Sequence, residues 1–197
     1  MPPAVDTRLH DVVAIVGSAG GIAAMRNVLE RLPGDLDAAV LIVLHLTPEH
    51  PSLLAQILDR ATNLSVREAH DRDVLEPATV YVAPPDAHLL VDADGSLRLE
   101  RSELVHHVRP SADALLLSIA HEYKGRCLAI VLSGTGIDGA AGAAAVHQSG
   151  GRVLAQNEAT SEHFGMPGAA ILAGGVDEIL SLEDIGPAVV EFAGHTA

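Results

Sequence analysis

Aromatic side chains are nearly missing from this chain: it has no tryptophan, two tyrosines and two phenylalanines in 197 residues. Apolar residues still make up 48% of the sequence, so the core must be filled by Ala, Val, Ile and Leu, a composition that favours helices packed on a sheet. Cysteine is scarce too. Cys127 is alone, which excludes a disulfide within the chain, and its place inside an apolar run marks it as a small buried hydrophobe in a reducing compartment. Basic residues number 12 against 26 acidic ones, a formal net charge of -14. Such a surface repels nucleic acid and anionic membranes, and no basic stretch with interleaved aromatics offsets it. No apolar run approaches the roughly 20 residues of a membrane-spanning helix, and Met1–Asp6 lacks the charged and apolar regions of a secretion signal. The expectation is a soluble cytoplasmic protein with a short extension over residues 1–10 and one domain over residues 11–197.

The stretch Val12–Val16 is mostly β-branched and unbroken by polar residues, as expected of a strand buried on both faces of a parallel sheet. It stops at Gly17-Ser18-Ala19-Gly20-Gly21. Ile22, Met25, Val28, Leu29 and Leu32 then recur at helical spacing until Pro33-Gly34. Ser18 therefore sits at a strand-to-helix turn, where unpaired N–H groups receive an anion and a nucleophile is well placed. The same position suits a helix N-cap or a phosphate-cradling turn. The nucleophile-elbow pattern G-x-S-x-G fails, because Val16 stands where its first glycine should be.

Two more buried strands follow the same plan. Ala38–Leu44 runs out at His45, and Cys127–Leu132 runs out at Ser133-Gly134-Thr135-Gly136-Ile137-Asp138-Gly139, before an alanine-rich helix over Ala140–Val146. Further strands are expected near Leu64–Arg67, Thr79–Ala83, Gly151–Ala155 and Ile179-Leu180. Helices are expected over Ser52–Arg60, from a Ser111 cap to Gly125, over Met166–Ala173 and after Ser181. His88–Val91 and Leu97–Arg101 flank Asp94-Gly95, a hairpin turn signal that interrupts the α/β rhythm. The expected fold is α/β, doubly wound, with a mostly parallel sheet, helices on both faces and an antiparallel β-hairpin excursion.

Parallel strands bring their carboxyl ends to one edge of the sheet, where open α/β folds bind ligands. Ser18, His45 and Asp138 lie at or just beyond three such ends. A hydroxyl needs a base, and the base needs a carboxylate to fix its tautomer, so the three residue types form a catalytic constellation despite their distance in sequence. A rival reading takes Gly134-x-Gly136-x-x-Gly139 as a dinucleotide fingerprint, with Glu158 at about the right remove. Asp138 would then lie where the pyrophosphate rests, an unfavourable meeting of negative charges, and Ser18 and His45 would go unexplained.

Several motifs together carry a resemblance: Ile15–Gly21, Leu44-His45, Tyr81–His88, Arg109-Pro110-Ser111-Ala112-Asp113, Leu132–Gly139, Ala155-Gln156-Asn157-Glu158 and Phe164-Gly165-Met166-Pro167. In this order, over residues 11 to 193, the chain resembles the catalytic domain of the chemotaxis-receptor protein-glutamate methylesterases, the CheB family. The resemblance implies Ser18 as nucleophile, His45 as general base and Asp138 as orienting carboxylate, without a cofactor. Ala19, Thr135 and Gly136 would form the oxyanion and substrate loop, with Thr135 where the family often has methionine. The implied substrates are glutamyl methyl esters on the cytoplasmic helices of chemoreceptors, with glutamine deamidation in some members. Family members commonly carry an N-terminal phosphorylatable receiver domain. Only residues 1–10 precede the first strand here, so the expectation is constitutive activity, control by a separate regulatory partner or a fragment of a longer chain, acting on a chemoreceptor or on another methyl-esterified protein.

Other polar residues tempt less. Eleven histidines invite a metal site, but His45 and His50, separated by Pro48, share no helix face. His106 and His107 would diverge on a strand, and no Cys-x-x-Cys or His-Glu-x-x-His accompanies them, so no metal is expected. Asp86 reads as turn-stabilising, His88 as half-exposed, Arg109 as a tether for the loop around the site and Glu158 as solvent-facing. His88 and Arg109 are candidate supports of the cleft. A non-catalytic interaction module and a nucleotide-binding protein stand as alternatives to the esterase.

Overall fold

The computed structural model describes residues 11–45 and 52–194, so Leu46, Thr47, Pro48 and His50 lie outside the described residues. Seven strands form one sheet in the order β3-β4-β2-β1-β7-β8-β9. They are β1 (Asp11–Gly17), β2 (Ala38–Leu44), β3 (Ser65–Glu68), β4 (Thr79–Val82), β7 (Cys127–Val131), β8 (Arg152–Gln156) and β9 (Glu178–Leu180), and every pairing among them is parallel. The hairpin β5 (His88–Val91) and β6 (Leu97–Glu100) forms a separate antiparallel pair. Among the described residues, six α-helices accompany the sheet: α1 (Gly21–Leu29), α2 (Leu54–Asp59), α3 (Ala112–Tyr123), α4 (Ala140–Gln148), α5 (Gly165–Leu172) and α6 (Leu182–Gly194).

The unbroken apolar runs follow from coverage on both faces. Along β1, Val12, Ala14 and Val16 point into a core shared with Leu115, Leu116 and Ile119 of α3, Ala143 and Val146 of α4 and Met166 of α5. Val13 and Ile15 point the other way, into a core shared with Met25, Val28 and Leu29 of α1, Leu58 of α2 and Val189 of α6. With both faces dry, the two-residue alternation of a half-exposed strand has no reason to appear. Leu89, Val91 and Leu97 attach the hairpin to the α3 side.

β1 is central, and the chain leaves it in two directions: through α1 to β2 on one side, and through α4 from β7 to β8 on the other. The helices on these two departures lie on opposite faces, so a crevice opens beyond the carboxyl ends of β1 and β7. The β1/β2/β7 register aligns those ends: Gly17 is opposite Leu44, and Val16 is opposite both Val43 and Val131.

Helices α3 and α4 meet closely at Gly142, whose N–H donates to Asp113 Oδ1 at 2.7 Å. A methyl group on Gly142 would lie 2.4 Å from Leu116 Cβ and 3.2 Å from Asp113 Oδ1. Gly142→Ala is therefore expected to force the helices apart and destabilise the fold by about 1–3 kcal/mol, read by urea denaturation. An unchanged midpoint would show that the contact relaxes freely.

Cys127 is buried as expected, and its thiol donates to the Lys124 carbonyl at 3.0 Å. Burial pushes the thiol up to about 12, and the nearby Asp11 carboxylate adds to the shift. An alkylating reagent at neutral pH should leave the native chain unmodified until denaturant is added; rapid native labelling would contradict this placement.

Candidate active site

The turn after β1 is built by backbone bonds. Ser18 N–H donates to the Ser133 carbonyl at 3.0 Å, and Gly21 N–H donates to the Ser18 carbonyl at 2.8 Å. Gly20, at φ 76°, is the N-cap of α1 and has no side-chain cap. The N-cap reading of Ser18 is thus corrected: a left-handed residue was needed one step before the helix, and glycine adopts that conformation without steric penalty. Ser18 lines an open depression together with Ala19, Gly20, Ile22, Arg26, Leu44 and His45.

His45 continues the register beyond β2, its N–H donating to the Gly17 carbonyl at 3.3 Å. Ser18 and His45 are consequently opposite one another across neighbouring strands, a separation of about 5 Å in backbone terms. The His45 ring meets Asp138 through Nε2 and Oδ2 at 2.7 Å. Ser18, His45 and Asp138 therefore converge at one end of the sheet.

Asp138 is 3% exposed and occupies the N-terminus of α3. Its Oδ1 accepts from Ser111 Oγ at 2.7 Å and from Asp113 N–H at 3.0 Å, while Oδ2 accepts from Ala112 N–H at 2.6 Å as well as from His45. Burial alone would push this carboxyl up. The bonds from His45, Asp113, Ser111 and Ala112 outweigh it and hold Asp138 below the ordinary carboxylate range. A carboxylate only accepts hydrogen bonds, so the His45 proton belongs on Nε2 and the lone pair on Nδ1. The tautomer is assigned from the network, and it leaves Nδ1 as the basic nitrogen.

Beneath the turn, Ser133 Oγ donates to the Ala19 carbonyl at 2.8 Å and accepts from His163 N–H at 3.0 Å. Ser133 N–H in turn donates to Gln156 Oε1 at 2.8 Å. Gln156, one residue beyond the expected strand, ends β8 and is buried, its side chain lying under the Ser133 backbone. Thr135, Gly136 and Ile137 are exposed beside this frame. Among the described residues, no acceptor meets the N–H of Ala19 or of Thr135, whereas that of Ser18 is occupied by Ser133.

Of the two support residues, His88 differs from expectation and Arg109 does not. His88 is buried, not half-exposed: its Nδ1 accepts from Ser111 N–H at 3.1 Å and its Nε2 donates to the Glu103 carbonyl at 3.0 Å. The chain around Arg109–Ser111 folds over it, a contact between segments that are distant in sequence. Arg109 binds Asp86 through Nε at 3.0 Å and through Nη2, and its Nη1 donates to the Ser102 carbonyl, so it tethers two loops. His106 and His107 lie on a tight turn at positive φ, closed by Val105 and Val108, and not on a strand.

The dinucleotide reading finds little room. A methyl group on Gly134 would lie 2.3 Å from Met166 Sδ and 3.0 Å from Ser18 N, and one on Gly139 would lie 3.3 Å from Ala112 Cβ. Packing therefore explains Gly134, and the left-handed φ of 99° at the N-cap of α4 explains Gly139. Glu158 is exposed, as expected. Among the described residues, one group of possible metal ligands gathers, namely His106, Asp113 and Asp138, but each already has hydrogen-bond partners within the protein. Among the described residues no helix is long and apolar enough to cross a membrane.

Residues 13–189 match the family model described as CheB methylesterase. The chain is 40% identical over 191 residues to protein-glutamate methylesterase/protein-glutamine glutaminase 2 of Caulobacter vibrioides, covering 95% of this chain and 55% of that protein. It is 43% identical over 184 residues to a Moorella thermoacetica protein named protein-glutamate methylesterase/protein-glutamine glutaminase, covering 91% and 43%. It thus spans about half the length of these curated relatives. Its fold superposes on the crystal structure of the Thermotoga maritima CheB methylesterase catalytic domain with a TM-score of 0.89 at 34% identity, covering 92% of this chain and 98% of that one. Sequence and fold agree that the chain belongs to the CheB methylesterase family.

Proposed function

We propose that residues 11–197 form a cytoplasmic catalytic unit that hydrolyses glutamyl methyl esters, and the related glutamine amides, on the helices of methylated chemoreceptors. The observation that carries this reading is the 2.7 Å bond from His45 to a buried, ionised Asp138 beside Ser18. In the reaction, Nδ1 of His45 takes the Ser18 proton as Oγ attacks the ester carbonyl. The tetrahedral oxyanion is received by the N–H groups of Ala19 and Thr135, which need no other acceptor. His45 then protonates the departing methanol, and water activated by the same nitrogen releases the glutamate carboxylate from Ser18. Asp138 keeps its charge throughout and stabilises the imidazolium.

The threonine at position 135 does not disturb this scheme, since the donor is backbone. The test is methanol release from a methyl-esterified chemoreceptor fragment by the full chain. A rate proportional to enzyme is expected. Absence of methanol together with nucleotide-dependent thermal stabilisation would transfer the site to the dinucleotide reading, and absence of both would leave a non-catalytic module.

A further inference from the structure

Helix α3 begins with two buried carboxylates. Asp138 binds the N–H groups of Ala112 and Asp113, and the Asp113 side chain, 3% exposed as a residue, stands beside it. One ligand atom each from Asp113, Asp138 and His106 falls within a 4.8 Å cluster. Asp113 Oδ1 accepts from Gly142 N–H at 2.7 Å, and its Oδ2 meets His106 Nε2 at 3.0 Å. The imidazole is the side chain that compensates Asp113, as His45 is for Asp138. His106 reaches the pair from a turn at φ 50° and keeps part of its surface in solvent.

We infer that Asp113 and His106 are positioning residues whose paired charges set the field at the His45–Asp138 pair. The inference rests on the reading of Ser18, His45 and Asp138 as the reacting groups. Two carboxylates this close in a dry setting act on one another, and a charge added to or removed from either is felt by both imidazoles. The other ionisable groups near this region are His88, buried with its Nδ1 on Ser111 N–H, and Arg26 of α1 in the cleft, while His107 adjoins His106 on the same turn and is exposed. Arg109 is already held by Asp86, and α4 meets the cluster through the Gly142 N–H.

The direction of each effect is fixed. Asp113→Asn removes a negative charge while its amide oxygen still accepts from Gly142. Protonated His45 is then less stabilised, and the acid limb of the pH–rate profile moves to lower pH. His106→Gln keeps a donor within reach of Asp113 but removes a ring that carries positive charge when protonated, so wherever that charge is present Asp113 loses its compensation and the limb moves to higher pH. Each displacement should be on the order of half a pH unit, about threefold in rate at a fixed pH on the limb.

The experiment measures methyl ester hydrolysis against pH for the full chain and both variants. In parallel, NMR follows the titration of the His45 ring, identified by its loss in His45→Gln, so the readout does not depend on turnover. Opposite displacements in the two variants are the expected result. Displacements that are nil or share one sign overturn the inference, even if turnover falls, because a merely structural role lowers the plateau without moving the midpoint. Should Asp113→Asn fail to fold by circular dichroism, the upward displacement in His106→Gln decides alone. Hydrolysis by the parent chain with unmoved midpoints sinks this inference and spares the functional reading. Opposite midpoints without hydrolysis do the reverse.

Discussion

Replacing Ser18 by alanine will lower methyl ester turnover by about four orders of magnitude or more while leaving the fold intact. The turn does not use the hydroxyl: Ser18 is held through its N–H on the Ser133 carbonyl and its own carbonyl under Gly21 N–H. Alanine keeps both bonds and the Cβ, so stability should change by no more than about 0.5 kcal/mol. What is lost is the hydroxyl oxygen that forms the acyl-enzyme in this scheme. A small residual rate above water is expected, because the Ala19 and Thr135 N–H groups still face the carbonyl. Two measurements check this: methanol release, and labelling by a serine-reactive phosphonate. Turnover near the parent level with normal folding would remove Ser18 from the mechanism.

The sheet was readable in the sequence because its strands are buried on both faces. Val12–Val16, Ala38–Leu44 and Cys127–Val131 show no polar alternation, and that pattern has few structural solutions. The convergence of Ser18, His45 and Asp138 was readable for a related reason. A polar residue just past a buried parallel strand has little structural work to do there, and Ser18 and His45 each take that place, with Asp138 in the loop that follows the third strand. Strand order was less accessible: β4 inserts between β2 and β3, a choice made by tertiary packing that local periodicity does not encode.

The support around these three residues was largely hidden. Ser111 was visible as a helix cap, and it does accept from Ala114 N–H at 3.3 Å, but nothing local shows that its hydroxyl also donates to Asp138. Ser133 and Gln156 look like ordinary loop polar residues until the sheet brings them under the Ser18 turn. His88 reads as half-exposed because Asp86-Ala87-His88 has the composition of an exposed turn, while its burial comes with a contact to Ser111, 23 residues away. Contacts of this kind become legible only when two segments without local periodicity are already placed.

Asp138→Asn is expected to lower kcat by about three to four orders of magnitude and to destabilise the fold by roughly 2–5 kcal/mol at neutral pH. The carboxylate accepts four donors, two on each oxygen. An asparagine amide has one accepting atom, and its NH2 must face either Ala112 N–H or Asp113 N–H. In the first orientation it also donates to His45 Nε2, which moves the ring proton to Nδ1 and removes the base. In the second, Nε2–H keeps an oxygen partner, but that partner is neutral and stabilises the imidazolium poorly. Both routes stop the same step. The pH dependence of the stability loss separates this account from simple misfit. Because the folded carboxyl lies below its ordinary value of about 3.9, its contribution is complete above that value and fades as pH falls through the lowered folded value. Parent and variant should thus differ most in denaturation midpoint at neutral pH and converge only in strong acid. A constant gap from neutral to strongly acid pH would mean that shape, not charge, holds Asp138 at the end of α3, and near-parent kcat would mean that His45 works without a charged partner.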